Sequence, residues 1–123
     1  MERYTKTNKG KYKIMKRGEI YYADLGRNRG CEQNGVRLVC IVQNDMGNTY
    51  SQTTIVCPLT SQFKANLPTH VSLYKGLPRK STLLAEQIRV VDKKRVFEER
   101  LIYILTSEEM EEVDKAIKIS LGV

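Results

Sequence analysis

No run of this 123-residue chain approaches the roughly 18 apolar residues that a membrane span requires. The basic N-terminal stretch leads into Gly18-Glu19 without an apolar segment, so it does not read as a signal peptide. Collagen-like, coiled-coil and longer internal periods are missing as well. Cysteine is sparse: Cys31, Cys40 and Cys57 are odd in number and widely spaced, with no C-x-x-C pair. That pattern excludes a disulfide framework and points to a reducing compartment, the cytosol. His70 is the one histidine and has no ligand spacing around it, so a structural zinc site is not expected. The chain also lacks a Walker loop, a dinucleotide fingerprint, an H-E-x-x-H and a G-x-S-x-G.

What is present in excess is positive charge. Twenty-one Lys and Arg against 14 Asp and Glu leave +7, which makes polyanions, and nucleic acid above all, the first partner to consider. Residues 1–17 hold seven bases against Glu2, a net +6. Residues 18–97 carry a net +5 and residues 98–123 a net −4. No linker interrupts the chain, so it divides into a basic leader over residues 1–15, read as a loose arm, and one domain over 16–123. The leader either adds weak phosphate attraction or is a solvated extension.

From Gly18 onward strand patterns dominate. Glu19–Leu25 is rich in aromatic and branched residues and stops at Gly26. Arg37–Gln43 is a nearly unbroken apolar run, expected to be a buried strand; within it, and within Thr53–Leu59, Cys40 and Cys57 read as small buried hydrophobes. Asn44–Asn48 supplies turn chemistry, Thr69–Leu73 alternates, and Leu83–Val91 is a longer β-type run. Five strands on short loops predict a compact antiparallel barrel or a strongly bent sheet. The tail then changes period. Thr106 and Glu109 fit a capping box, Met110, Val113, Ile117 and Leu121 follow at steps of three and four, and Gly122 ends the run. The glutamates crowding the first turns suit the helix dipole, which accounts for much of the −4. A short helix within Asp92–Arg100 is weakly signalled.

Polar groups collect at the ends of the apolar strands. Glu32-Gln33 precede the buried strand, Arg37 opens it, and Thr60-Ser61-Gln62 follow the next one. An arginine at a strand mouth grips a phosphate with its planar fork, and a threonine at a neighbouring strand end donates to the same group. The plain alternative is a surface arginine and a turn threonine. His70 is either a general base or an ordinary packed histidine.

These residues carry a resemblance. Lys16-Arg17-Gly18-Glu19-Ile20-Tyr21-Tyr22-Ala23-Asp24-Leu25 resembles the opening strand of MazF/PemK-type toxins, the endoribonuclease partners in type II toxin–antitoxin pairs. Gly30-Cys31-Glu32-Gln33-Asn34-Gly35-Val36-Arg37 is similar to that family's G-S-E-Q-x-G-x-R-P loop, and Val42-Gln43-Asn44-Asp45 with Gly47-Asn48 to its following turn. Pro58-Leu59-Thr60-Ser61-Gln62 resembles P-I-T-S-Q, and Leu67-Pro68-Thr69-His70-Val71 matches L-P-T-H-V. Glu86-Gln87-Ile88-Arg89 with Asp92-Lys93 resembles E-Q-I-R-T-x-D-K. The motifs run in order over about residues 16 to 123.

The resemblance implies a mainly β fold, a small SH3-like antiparallel β-barrel of the MazF/PemK/CcdB kind with a C-terminal helix. It implies a cytoplasmic homodimer that cleaves single-stranded mRNA at specific sequences without metal or cofactor, leaving 2′,3′-cyclic phosphate and 5′-OH ends and halting translation and growth. An acidic antitoxin would be its partner. The family's catalytic pair falls on Arg37 and Thr60; Glu32, Gln33, Gln62, His70 and Gln87 fall on RNA-binding positions. A non-catalytic module of the same fold, an RNA binder or a CcdB-like topoisomerase inhibitor, is the competing reading. Departures are Leu38 for the proline after the arginine, Cys31 for serine, and the basic Gly26-Arg27-Asn28-Arg29 in place of a segment that commonly holds proline.

Overall fold

The computed structural model describes residues 4–7, 10–27, 30–62 and 65–123. Residues 1–3, 8 and 9 of the leader, and Asn28 and Arg29 of the basic loop, lie outside the described residues. Tyr4–Thr7 (β1) and Gly10–Lys13 (β2) pair antiparallel as a hairpin separate from the main sheet. The segment read from composition as a loose arm thus carries strand pairing, which its Tyr and Thr content favours. Met15, placed at the end of that leader, is fully buried in the core.

The domain continues with Glu19–Asp24 (β3), Val36–Ile41 (β4), Asp45–Tyr50 (α1), Thr53–Thr60 (β5), His70–Leu73 (β6) and Ser81–Leu84 (β7). A 3₁₀ turn at Ala85–Gln87, Arg89–Asp92 (β8), a second 3₁₀ turn at Lys93–Arg95, Tyr103–Ile104 (β9) and Ser107–Leu121 (α2) complete it. The sheet runs β6-β7-β5-β4-β3-β9, with β8 also on β5, and every pairing is antiparallel. A strongly bent half-barrel with a C-terminal helix is the result, in agreement with the expected fold class.

The unbroken apolar run of β4 follows from burial on both faces. Cys40 and the following Val42 join one core cluster with Ile20, Cys57 and Leu59, which α2 covers through Val113 and Ala116. Val39 and Ile41 face the other cluster, with Met15, Tyr21 and Val56. β5 is shared between neighbours: Thr53–Val56 pair with β8, Val56–Pro58 with β4, and Leu59-Thr60 with β7. Pro58, which has no N–H to give a ladder, marks the crossover from β4 to β7.

Three expectations change in detail. Asn44–Asn48 is not a bare turn: Asn44 caps α1 by accepting from the Gly47 N–H at 2.7 Å, and Asn48 is buried, accepting from Gln43 Nε2 and Thr54 Oγ1. A Cβ at Gly47 would lie 2.8 Å from the Gln43 side chain, so glycine there makes room for this network. The Leu83–Val91 run is broken into β7, the first 3₁₀ turn and β8. The short helix sought within Asp92–Arg100 is the turn Lys93–Arg95, capped by Asp92. At the helix end, Thr106 and Glu109 form the full capping box, and Gly122 closes α2 at φ +75. Arg17 ties the start of the domain together. Its Nε donates to Val42 O at 2.8 Å, its Nη2 reaches Asp114 Oδ1 of α2 at 2.5 Å, and its N–H donates to Asp45.

Candidate functional site

Arg37 and Thr60 are distant in sequence, and strand pairing brings their positions together. Arg37 is the second residue of β4 and Thr60 the last of β5. The register sets Val39 against Pro58 and Cys40 against Cys57. Continued by two residues, that register aligns Arg37 with Thr60, and because opposite residues share a face, both lie on the side of Val39 and Val56. They mark the corner where β5 leaves β4 for β7. Thr60 is only 2% exposed, pairs with Thr82 and accepts the Gln62 N–H on its Oγ1 at 3.2 Å, so its hydroxyl proton is left to donate elsewhere. Arg37 is half-buried, and its Nε donates to Asn34 O at 3.0 Å. The two terminal NH₂ groups of the fork remain for an anion.

The loop before β4 is held from across the sheet. Gln87 Oε1 accepts the Gln33 N–H at 2.8 Å, and Gln87 Nε2 donates to Cys31 O at 3.1 Å. Gln87 therefore spends its amide on loop backbone. Gln33 is partly covered between these contacts, while Glu32, Cys31 and Asn34 are exposed.

His70, the first residue of β6, is held on the other flank. Its Nδ1 lies 2.7 Å from Ala65 O and its Nε2 2.8 Å from Glu86 Oε2, with the side chain only 7% exposed. A carbonyl accepts only, so Nδ1 is the donor to Ala65 O, and both ring nitrogens are engaged by protein groups. Burial by itself would raise the Glu86 carboxyl. The hydrogen bonds from His70, the Glu86 backbone N–H and the Thr69 side chain together outweigh it and hold Glu86 below the usual carboxylate range. Gln62 is exposed beside Thr60.

Of the seven residues singled out from sequence, Arg37 and Thr60 share one corner and Gln62 adjoins Thr60. Glu32 and Gln33 sit on the loop leading to Arg37. His70 and Gln87 flank the corner, with their polar atoms engaged by protein groups. Sequence reasoning missed Glu86 as a site residue, although it stands next to Gln87 in the E-Q-I-R motif; the carbonyls of Asn34 and Ala65 carry no side-chain signal at all. The three cysteines are free, with Cys31 exposed and Cys40 and Cys57 buried opposite each other. Burial pushes the Cys57 thiol up to about 12 and Cys40 higher still, where thiolate chemistry is closed to them. No helix among the described residues is long and apolar enough to cross a membrane.

Comparison with known proteins identifies the family. Residues 16–121 match the family model of the PemK-like, MazF-like toxin of type II toxin-antitoxin system. Endoribonuclease MazF of Staphylococcus saprophyticus is 48% identical over 114 residues, which span 89% of this chain and 93% of that protein. The crystal structure of MazF from Deinococcus radiodurans superposes with a TM-score of 0.77 at 22% identity, covering 89% of this chain and 98% of that one. An endoribonuclease from Mycobacterial species, solved in complex with its cognate antitoxin, gives 0.75 at 23% identity, covering 89% and 96%. At those identities the solved structures speak for the fold alone. The family match over nearly the whole domain, together with the 48% relative, makes this chain a member of the PemK-like, MazF-like toxins of type II toxin–antitoxin systems.

Proposed function

We propose that the chain is a sequence-specific endoribonuclease that cuts single-stranded mRNA at the Arg37–Thr60 corner and thereby arrests translation and growth. The observation that supports this reading is the β4–β5 register: extended two residues past its last pair, Val39 with Pro58, it sets Arg37 opposite Thr60 on one face. RNA supplies its own nucleophile. A ribose 2′-OH held in line with the adjacent phosphorus closes to a 2′,3′-cyclic phosphate as the P–O5′ bond breaks, and the departing oxygen takes a proton from solvent to leave as a 5′-OH end. No metal is needed for that step, and orientation supplies much of its rate. Arg37 neutralises charge developing on the non-bridging oxygens through its terminal NH₂ groups, and Thr60 adds a hydroxyl donor. Thr60 is almost covered, and the exposed Ser61-Gln62 turn beside it is the side from which a phosphate would approach.

A group must take the 2′-OH proton. His70 has both ring nitrogens engaged, and a guanidinium is a poor proton acceptor. Glu32, an exposed carboxylate on the loop that leads to Arg37, is the candidate base. Gln62 and the exposed loop edge around Glu32 and Gln33 would meet the RNA. The chain would work in the cytoplasm as a homodimer. A cognate antitoxin with an acidic, initially disordered segment, drawn to the +5 body, would block the RNA path.

Mapping cut sites by primer extension on a long purified RNA, with and without EDTA, tests activity, specificity and metal independence together. Discrete cuts that persist in EDTA and vanish in Arg37→Ala are expected. Equal cutting by a folded Arg37→Ala protein would refute the assignment of the corner.

A further inference from the structure

We infer that the 3₁₀ turn Ala85–Gln87 sets the working geometry of the Arg37–Thr60 corner, Gln87 acting through the Cys31–Gln33 loop and Glu86 through His70. The inference rests on the proposed cleavage and assigns positioning residues to it. Adjacent residues of one turn reach the two segments that flank the corner. Gln87 grips its loop in both directions, accepting the Gln33 N–H and donating to Cys31 O, 54 and 56 residues away in sequence. The next residue, Asn34, gives the carbonyl that accepts Arg37 Nε. Wherever Gln87 holds the loop, the plane of the Arg37 guanidinium follows.

On the other flank Glu86 Oε2 meets His70 Nε2, and His70 Nδ1 donates to Ala65 O, five residues beyond Thr60. The same segment is hemmed by backbone bonds from His70 N to Leu67 O and from Ala85 N to Thr69 O.

The turn is a firm base for this work. Ala85 is fully buried, and its carbonyl accepts Ser120 Oγ of α2 at 3.0 Å. Side chains that hold backbone on both sides of a reacting corner, without facing the ligand, give pre-organisation. A misplacement of about 1 Å at such a corner costs up to ~100-fold in rate.

Chemistry separates the variants. Gln87→Glu keeps the acceptor for Gln33 N–H and turns a carboxylate oxygen toward Cys31 O, where a donor stood. Gln87→Ala removes both bonds. Glu86→Gln retains an amide oxygen able to accept from His70 Nε2, whereas Glu86→Ala removes it.

The test has two readouts on the full chain. First, kcat and KM are measured on an RNA oligonucleotide carrying a mapped cut site, alongside the thermal midpoint of each variant. Gln87→Glu and Gln87→Ala should lower kcat by about 10- to 100-fold with KM within threefold and the midpoint within a few degrees. Glu86→Gln should restore most of what Glu86→Ala loses. Second, the Arg37 Nε–H signal is followed by nitrogen-15 NMR without RNA, and it should shift in both Gln87 variants. An unmoved signal, or wild-type kcat in Gln87→Glu, overturns the inference. A loss confined to KM overturns it too, and makes Gln87 a direct RNA contact. Should the wild-type chain cut no RNA while the Arg37 signal still moves, the cleavage reading falls and the coupling of Gln87 to Arg37 stands.

Discussion

At Arg37 one guanidinium divides its labour. Nε is anchored on Asn34 O, and the remaining fork is presented outward. Lysine keeps the charge but has no second edge with which to be anchored and to donate in a pair. Arg37→Lys should therefore lose at least ~100-fold in kcat while its urea midpoint stays close to wild type, a comparison that steady-state kinetics and a denaturation curve supply. Thr60→Val, close in shape at a buried strand end, should fall by a similar ~100-fold, and Thr60→Ser should retain most activity. Glu32→Gln tests the base and should cost about 100-fold or more in kcat. The cysteines invite a simpler check. A disulfide-exchange reagent at pH 8 should find one thiol, Cys31, in the native protein and all three after unfolding in guanidinium, because burial keeps Cys40 and Cys57 protonated. The residue types at the corner were legible in sequence because a charged fork and a hydroxyl at strand ends are conspicuous. What held them was not. Backbone carbonyls such as Asn34 O and Ala65 O leave no trace in residue type, and Gln87 looks the same in sequence whether it faces RNA or a neighbouring loop.

Among the elements, the most legible were those whose pattern is local. β4 was readable from its apolar run because both of its faces are covered, and α2 from its spacing and capping box. The Leu83–Val91 run misled because the turn inside it is imposed from afar, by Ser120 on Ala85 O and by the loop that Gln87 holds. α1 hid in turn-forming residues because Asn48 is buried only once Gln43 and Thr54 close around it. Two predictions belong here. Thr106→Ala opens the capping box of α2 and should cost about 1 kcal/mol in unfolding free energy, read from a urea curve. The second concerns acid. Burial would raise Glu109, but the Thr106 N–H, the Tyr103 hydroxyl and the Thr106 side chain outweigh it, so Glu109, like Glu86, ionises below its ordinary 4.5 in the fold. The unfolded chain therefore binds these protons more tightly. Their stabilisation is complete above about 4.5 and is lost as pH falls through the lower folded values. Urea midpoints should drop below pH 4.5, and less steeply in a Glu86→Gln, Glu109→Gln double variant.

Across the whole molecule, net charge was the first hint and a blunt one. Of the +7, a +6 share sits in residues 1–17, mostly ahead of the family match that starts at residue 16. The +5 over residues 18–97 includes Arg37, to which the proposed cleavage gives a chemical task. A chain beginning at Ile14 should keep the wild-type kcat and midpoint, since Met15 and all the site residues are retained. Its RNA affinity should depend less steeply on salt, by the share of phosphate contacts the leader supplies. A tenfold fall in its kcat would give the leader a catalytic part. An acidic antitoxin segment should suppress cutting at one-to-one stoichiometry, and raised salt should weaken that inhibition.

The most direct test of the corner is made on the products and on one oxygen. An RNA oligonucleotide with a mapped cut site is compared with the same strand carrying a single 2′-deoxy nucleotide 5′ to the scissile phosphate. The all-ribose strand should yield a 2′,3′-cyclic phosphate on one fragment and a 5′-OH on the other, and the substituted strand should stay intact. Cutting of the substituted strand at the same bond would contradict 2′-OH attack at the Arg37–Thr60 corner.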